Sequence, residues 1–304
     1  MPPGAKASEG FSRRPVFPYD AVMRSKLPVL LALCLSLATA ARAEPPSDEA
    51  GAIAYLKAKG VEIFPGPDGK PKRLQSSGKE GLTPEDYALM AKLTTLEQMG
   101  LNAAPLTGEQ WGFLQAMTGL KSLSIWHGHH FATLEPFCGL KVESLTIGGC
   151  MGLRDLNKDN PDRLRDAILT LRDLPNLKKG NWYHSPLAPD DTHLAHIARE
   201  FPTLEELRLD FTAPRGSETT ITPHGLAELQ KLPLKLLSVE NPATLTADHF
   251  KALAGIRTLT TLLIDARRSA VDAGAVAAFR AARPEVEVVV ADRDAPGPPM
   301  PARK

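Results

Sequence analysis

The chain has 304 residues, 43% hydrophobic and 23% charged, with 36 Lys and Arg against 35 Asp and Glu. That composition excludes global disorder and supplies enough apolar side chains for a substantial core. A formal charge of +1 excludes the strongly basic surface of a general nucleic-acid binder.

Residues 1–43 read as an N-terminal extension and signal peptide. Arg24 and Lys26 precede an apolar run from Leu27 to Ala40, and Ala41-Arg42-Ala43 supplies a small-residue cleavage site before Glu44. The run is shorter than the ~20 residues a bilayer span requires, so it is expected to be cleaved and to leave no stable membrane insertion. Met23 is the expected start. Arg13-Arg14 lies too far upstream for a twin-arginine signal, and Leu33 precedes Cys34 where a lipid-anchored signal needs a small residue. The expected location is extracytoplasmic, periplasmic or secreted. Removing 1–43 leaves 30 Lys and Arg against 33 Asp and Glu, a formal charge of −3.

Residues 44–76 read as a cap. Ala52 to Lys59 has helical character, and Val61 to Phe64 reads as a strand turned by Pro67-Asp68-Gly69 onto a second, Lys72 to Gln75. From 77 to 291 the chain repeats itself. Leu82-Thr83-Pro84-Glu85-Asp86-Tyr87 returns as Leu106-Thr107-Gly108-Glu109-Gln110-Trp111, Ile221-Thr222-Pro223-His224 and Leu245-Thr246-Ala247-Asp248-His249-Phe250. Each copy continues through apolar positions at helical spacing, Trp111, Leu114 and Met117 for example, into an LxxLxL segment such as Leu204-x-x-Leu207-x-Leu209. The repeated Thr is a helix N-cap, with Asp86 or Gln110 at the capping-box position three residues on. Alternation in LxL turns two aliphatic side chains inward and the residue between them outward.

No single unit buries its own helix stripe, so the units must stack. The first residue of each LxL marks the stack at Met99, Leu123, Leu145, Gly180, Leu207, Leu237 and Leu262, closed by Val286 or Val288. The 35-residue interval before Gly180 holds an expected helix, Arg163 to Leu174, with Leu164, Ile168 and Leu171 inward. Residues 292–304 form a Pro-rich tail in which Ala295-Pro296-Gly297-Pro298-Pro299 forbids further pairing.

These segments resemble the leucine-rich repeat family, in its ribonuclease-inhibitor-like and bacterial extracytoplasmic forms. The likeness covers about residues 72 to 291 and is most specific at Leu145-x-Ile147-x-x-Cys150. It implies an α/β solenoid, a right-handed superhelix with a concave parallel sheet and outer helices. Gly180 departs from the pattern, and most units lack its Asn or Cys.

With that register Ser124 and Trp126, Thr146 and Gly148, Asn181 and Tyr183, Arg208 and Asp210, Ser238 and Glu240, Leu263 and Asp265 face outward on the concave side. Trp126 and Tyr183 flank Gly148, a floor without a side chain. Asp210, Glu240 and Asp265 form an acidic row beside Arg208. Such a groove suits a protein or peptide with a basic portion; the bland alternative is an idle aromatic patch beside a solvated acidic face.

The run Ser-Ile-Trp-His-Gly-His-His, 124–130, offers a second reading. His127 and His129, with His184 in the same register two units on, are candidate zinc ligands, and the His127/His129/His130 loop is the basis of an alternative metal-dependent enzyme or metal-binding protein. Zinc usually takes three or four ligands, and two imidazoles are as many as the spacing places. His193 and His196 lack the Glu of HExxH and are expected to flank a helix at the surface. Cys138 and Cys150 sit at opposite ends of one strand, roughly 16 Å apart against the ~7 Å a disulfide tolerates, so both thiols are expected free. No nucleophile elbow, phosphate loop or dinucleotide fingerprint appears, so neither catalysis nor a cofactor is expected. The favoured function is a non-catalytic exported scaffold for a protein or peptide, without nucleic acid; a purely structural role in an envelope assembly is a third possibility.

Overall fold

Nine inward positions at irregular intervals along the chain lie side by side in one ladder: Leu74, Met99, Leu123, Leu145, Gly180, Leu207, Leu237, Leu262 and Val288. The structure is a computed structural model describing residues 46–103, 106, 108–128, 133–149, 167–183, 189–211, 221–242, 244–267 and 270–291. These fall in the compact unit Pro45–Lys304. The expected signal peptide, the Pro-rich tail, His129, His130, Cys150 and His184 lie outside the described residues, as do Thr107 and residues 163–166 of the expected helix.

Helix α1 (Glu49–Ala58) opens the unit, capped by Asp48, whose carboxylate accepts from the Gly51 amide. The hairpin follows, β1 (Glu62–Pro65) antiparallel to β2 (Pro71–Gln75). Next come helix α2 (Pro84–Leu89) and the strands β3 (Gln98–Asn102), β4 (Ser122–Trp126), β5 (Ser144–Gly148) and β6 (Lys179–Tyr183). The remaining elements are α3 (Asp191–Glu200), β7 (Glu206–Asp210), α4 (Pro223–Glu228), β8 (Leu236–Glu240), β9 (Thr244–Leu245), α5 (Ala247–Ala254), β10 (Thr261–Asp265), β11 (Ala270–Val271), α6 (Ala273–Ala282) and β12 (Glu287–Ala291). Ten strands make one sheet in the order β1-β2-β3-β4-β5-β6-β7-β8-β10-β12, parallel from β2 onward, and β9 pairs with β11 apart from it. Val288, not Val286, closes the ladder.

A second inward ladder, Leu101, Ile125, Ile147, Trp182, Leu209, Val239 and Ile264, lies two residues farther along each strand. Both ladders pack against helix residues such as Leu194, Ile197, Leu226, Leu253 and Phe279 in one continuous buried core. Fully burying one such aliphatic side chain is worth about 1.5–3 kcal/mol, which is why stacking the coils stabilises helices too short to stand alone. The odd member, Gly180, is compensated within its own strand. A Cβ there would lie 2.8 Å from Cη2 of Trp182, whose fully buried indole fills the space an aliphatic side chain occupies in the other coils.

The helical side is not uniform. Residues Gly108–Ala116 form a nine-residue 3-10 helix, and the next two coils carry only Glu135–Phe137 and Ile168–Thr170, also 3-10. Trp111, Leu114 and Met117 still point inward, because a spacing of three matches the three residues per turn of that helix. The expected helix from Arg163 to Leu174 is corrected at its end: Leu171 is buried as expected but already extended, at φ −80 and ψ 123. Glycines 108 and 112 weigh against α-helix in the first of these coils.

Thr83 caps α2, with Asp86 closing the capping box and also taking an ion pair from Lys59 at 2.6 Å. That buried carboxylate fastens the first coil to α1. Asp86→Ala removes the cap and leaves Lys59 without its partner, so urea denaturation should show a loss of about 1–3 kcal/mol. Asp86→Asn, which keeps a cap acceptor, should lose less.

Candidate functional site

The face of the sheet away from the helices carries three outward rows. The first, at the strand starts, runs Arg73, Gln98, Ser122, Ser144, Lys179, Glu206. A middle row runs Gln75, Gly100, Ser124, Thr146, Asn181, Arg208, Ser238, Leu263. The last row begins Asn102, Trp126, Gly148, Tyr183 and ends Asp210, Glu240, Asp265. The register therefore sets Gly148 between Trp126 and Tyr183, and the three acids on consecutive strands of the sheet.

The acidic row is an electrostatic anomaly. Around the starts of β3 and β7 the acids have lysines: Glu97 bonds Lys72 and Lys121 at 2.9 and 2.7 Å, and Glu205 and Glu206 bond Lys235 and Lys179. Hydrogen bonds from Lys121 and Lys72 hold Glu97 down to about 2. At the strand ends no lysine arrives. Asp265 is buried and gripped by Arg267, whose Nε donates at 2.8 and 3.1 Å. Asp210, also buried, accepts from the Asn241 amide at 3.2 Å. The Glu240 carboxyl stands between them without a hydrogen bond or ion pair among the described residues. Burial first, then the charges of Asp210 and Asp265, push its carboxyl up to about 7, and Arg208 and Arg267 offset this only in part. The row is thus not a solvated face: two of its three carboxylates are buried, and the third lacks a cation.

The aromatic end is arranged by a glycine that the LxL alternation does not mark. A Cβ on Gly100 would lie 2.8 Å from Cη2 of Trp126 and 2.5 Å from Oε1 of Gln75. The indole therefore leans from β4 over β3, and the Gln75 amide reaches the same space from β2. Beneath and beside them is a hollow of about 720 Å³ lined by Arg73, Gln75, Gln98, Ser122, Ser124 and Trp126, with Glu62, Glu80, Asn102 and His127 among the rest. Tyr183 holds its register place beside Gly148; its side chain lies outside the described residues.

Every coil thus returns its strand to the same register beside the last, two aliphatic or aromatic positions in and three out. The fold is a leucine-rich repeat solenoid. The leucine-rich repeat-containing protein LegL7 from Legionella pneumophila is similar at 13% identity and a TM-score of 0.42, over 73% of this chain and 84% of that one. An internalin, inlF, from Listeria monocytogenes is similar at 13% identity and a TM-score of 0.28, over 69% and 66%. No family model and no curated protein matches the sequence. The identification rests on the strand register of this chain, not on these likenesses.

The solenoid also explains its histidines. His193 and His196 are corrected from surface flanks to buried residues, 1% and 6% exposed. His193 occupies the third helical position of α3 and closes a capping box with Asp190, 2.7 Å from its carboxylate. His249 closes the same device with Thr246 in α5 and sets Nε2 2.8 Å from the Ile221 carbonyl of the preceding coil. His196 reaches the Leu171 carbonyl at 2.9 Å. An imidazole thus joins one coil to the next. His127 is exposed, left-handed at φ 55, with its ring against Gly149. Among the described residues no three His, Cys, Asp or Glu converge. Cys138 is a free, half-buried thiol, its Sγ 3.3 Å from the Thr170 carbonyl, and burial pushes its pKa up. No helix among the described residues is long and apolar enough to cross a membrane.

Proposed function

We propose that the protein is an exported, non-catalytic repeat scaffold whose open sheet face binds a protein or peptide segment with a basic portion. Export rests on the apolar run Leu27 to Ala40 and the Ala41-Arg42-Ala43 site; periplasm or medium, without a bilayer anchor or a nucleic-acid partner, is the proposed setting. The observation that carries the binding reading is the row Asp210, Glu240, Asp265 on consecutive strands, in which Glu240 has no ion-pair partner among the described residues and is pushed up to about 7 by burial and by its two acidic neighbours. A Lys or Arg supplied by a partner would give it one, and charge-assisted hydrogen bonds of that kind are about twice as strong as neutral ones.

The test is affinity capture from the native source with the mature protein, beside the variant carrying Asp210→Asn and Glu240→Gln. A partner retained by the native protein and lost by the variant is the expected result. Identical captured proteins on both would overturn the role given to the acidic row.

A further inference from the structure

We propose that the hollow over β2, β3 and β4 is a second binding site, for a neutral oligosaccharide. Its volume, about 720 Å³, lies within the roughly 300–1,000 Å³ typical of ligand pockets. What it offers a ligand follows from which of its groups are already engaged.

Of the charged members, Glu80 and Arg73 have partners within the chain. Glu80 accepts from the Ser77 amide and hydroxyl at 2.6 and 2.9 Å, and the Ser76 hydroxyl lies at 3.4 Å. The Arg73 guanidinium stacks over the Phe64 ring at 4.1 Å. Asn102 donates its amide to the Ser77 carbonyl at 3.0 Å. By contrast, the side chains of Gln75, Gln98, Ser122 and Ser124 make no hydrogen bond among the described residues. Two amides and two hydroxyls, each able to donate and to accept, line one floor beside a half-exposed indole.

Sugar hydroxyls are likewise donors and acceptors at once, and the C–H face of a pyranose ring is the apolar surface an indole covers. The four side chains left open on the floor carry no charge, so a neutral ligand is their match. A peptide main chain could not extend the sheet here, because the edges of β2, β3 and β4 are all taken by neighbours. Four side chains of the floor are neutral and bifunctional, and they stand beside one ring. That is the complement of a carbohydrate.

The tryptophans make the proposal directly testable. Of the three in the chain, Trp111 and Trp182 are fully buried, so acrylamide quenching of the native protein reads Trp126. The probes are cellohexaose, maltohexaose and chitohexaose, with an uncharged Gly-Ser peptide as comparison and isothermal titration alongside. At least one saccharide should protect Trp126 saturably. Gln75→Ala with Ser124→Ala should weaken binding about tenfold or more, near 1.4 kcal/mol, at an unchanged melting temperature. Trp126→Phe should abolish the optical signal while titration still registers heat. No protection and no heat with any of the three saccharides overturns the proposal, as does protection by the peptide alone. The acidic row is tested separately, by a Lys-rich peptide whose binding responds to Glu240→Gln and not to Gln75→Ala, so each site can fail without the other.

Discussion

Replacing Trp182 with alanine should destabilise the solenoid by about 3–5 kcal/mol, the range for removing a buried aromatic ring from a core. Its indole fills both its own place in the second inward ladder and the void above Gly180, so the cavity left behind would span two positions. Gly180→Leu alone should also destabilise, by about 1–3 kcal/mol or more, because the new side chain collides with the ring. The informative variant combines Gly180→Leu with Trp182→Val, which restores the aliphatic pair found in the other coils. It should recover most of the loss in urea denaturation. If the double variant is no better than the sum of the singles, the two positions do not share one space. Trp182→Phe should be mild, since it also removes an indole N–H that has no acceptor among the described residues, a burden of about 1–3 kcal/mol when a donor is buried unpaired.

The second large effect is on pH. Glu240 is pushed up to about 7 from an ordinary 4.5, so the folded chain holds this proton more tightly than the unfolded chain does. Its contribution is fully present below about 4.5, declines as the pH rises, and becomes a full penalty above about 7. Every tenfold difference in proton affinity between the two states corresponds to about 1.36 kcal/mol; screening at this partly exposed site reduces the whole to about 1–2 kcal/mol. Glu240→Gln should therefore raise the melting temperature at pH 8 and leave it unchanged at pH 4. Equal effects at both would show that the carboxyl's charge is not what the acidic row penalises. The same linkage makes affinity for a basic peptide increase as the pH rises through about 7.

The fold is legible because the LxL alternation is a short-range signal that survives irregular spacing: the marker positions from Met99 to Leu262 fall in one ladder. Even Gly180, the one misfit, holds its register, and its compensation by Trp182 is signalled by a large residue two positions on. The outward residues are likewise placed by register, and the acids do stand side by side. What alternation cannot give is burial at that face. Asp210 and Asp265 are enclosed through Asn241 and Arg267, residues beyond the strand ends whose positions depend on turn geometry.

The hollow escapes the sequence for a related reason. It needs Gln75 and Gly100, from strands that read as cap and as first marker, and it exists because a ring on β4 tilts toward an absent side chain on β3. The buried histidines are equally hidden, because an imidazole at the third helical position is ordinarily exposed. Here Asp190 partners His193, and Thr246 with the Ile221 carbonyl of the preceding coil partners His249, contacts that periodicity does not reveal.

The two ends of the sheet are built differently. At one, β1 runs antiparallel to its neighbour; at the other, β12 continues the parallel pattern and, among the described residues, has a strand on one side only. Arg280 donates to the Val288 carbonyl there, at 2.9 Å. Lengthening the molecule by grafting is therefore a directional operation: an added unit spliced after Ala291 meets the same backbone template as every interior one and, among the described residues, competes with one arginine for it, whereas before Glu62 it meets a reversed chain it cannot copy.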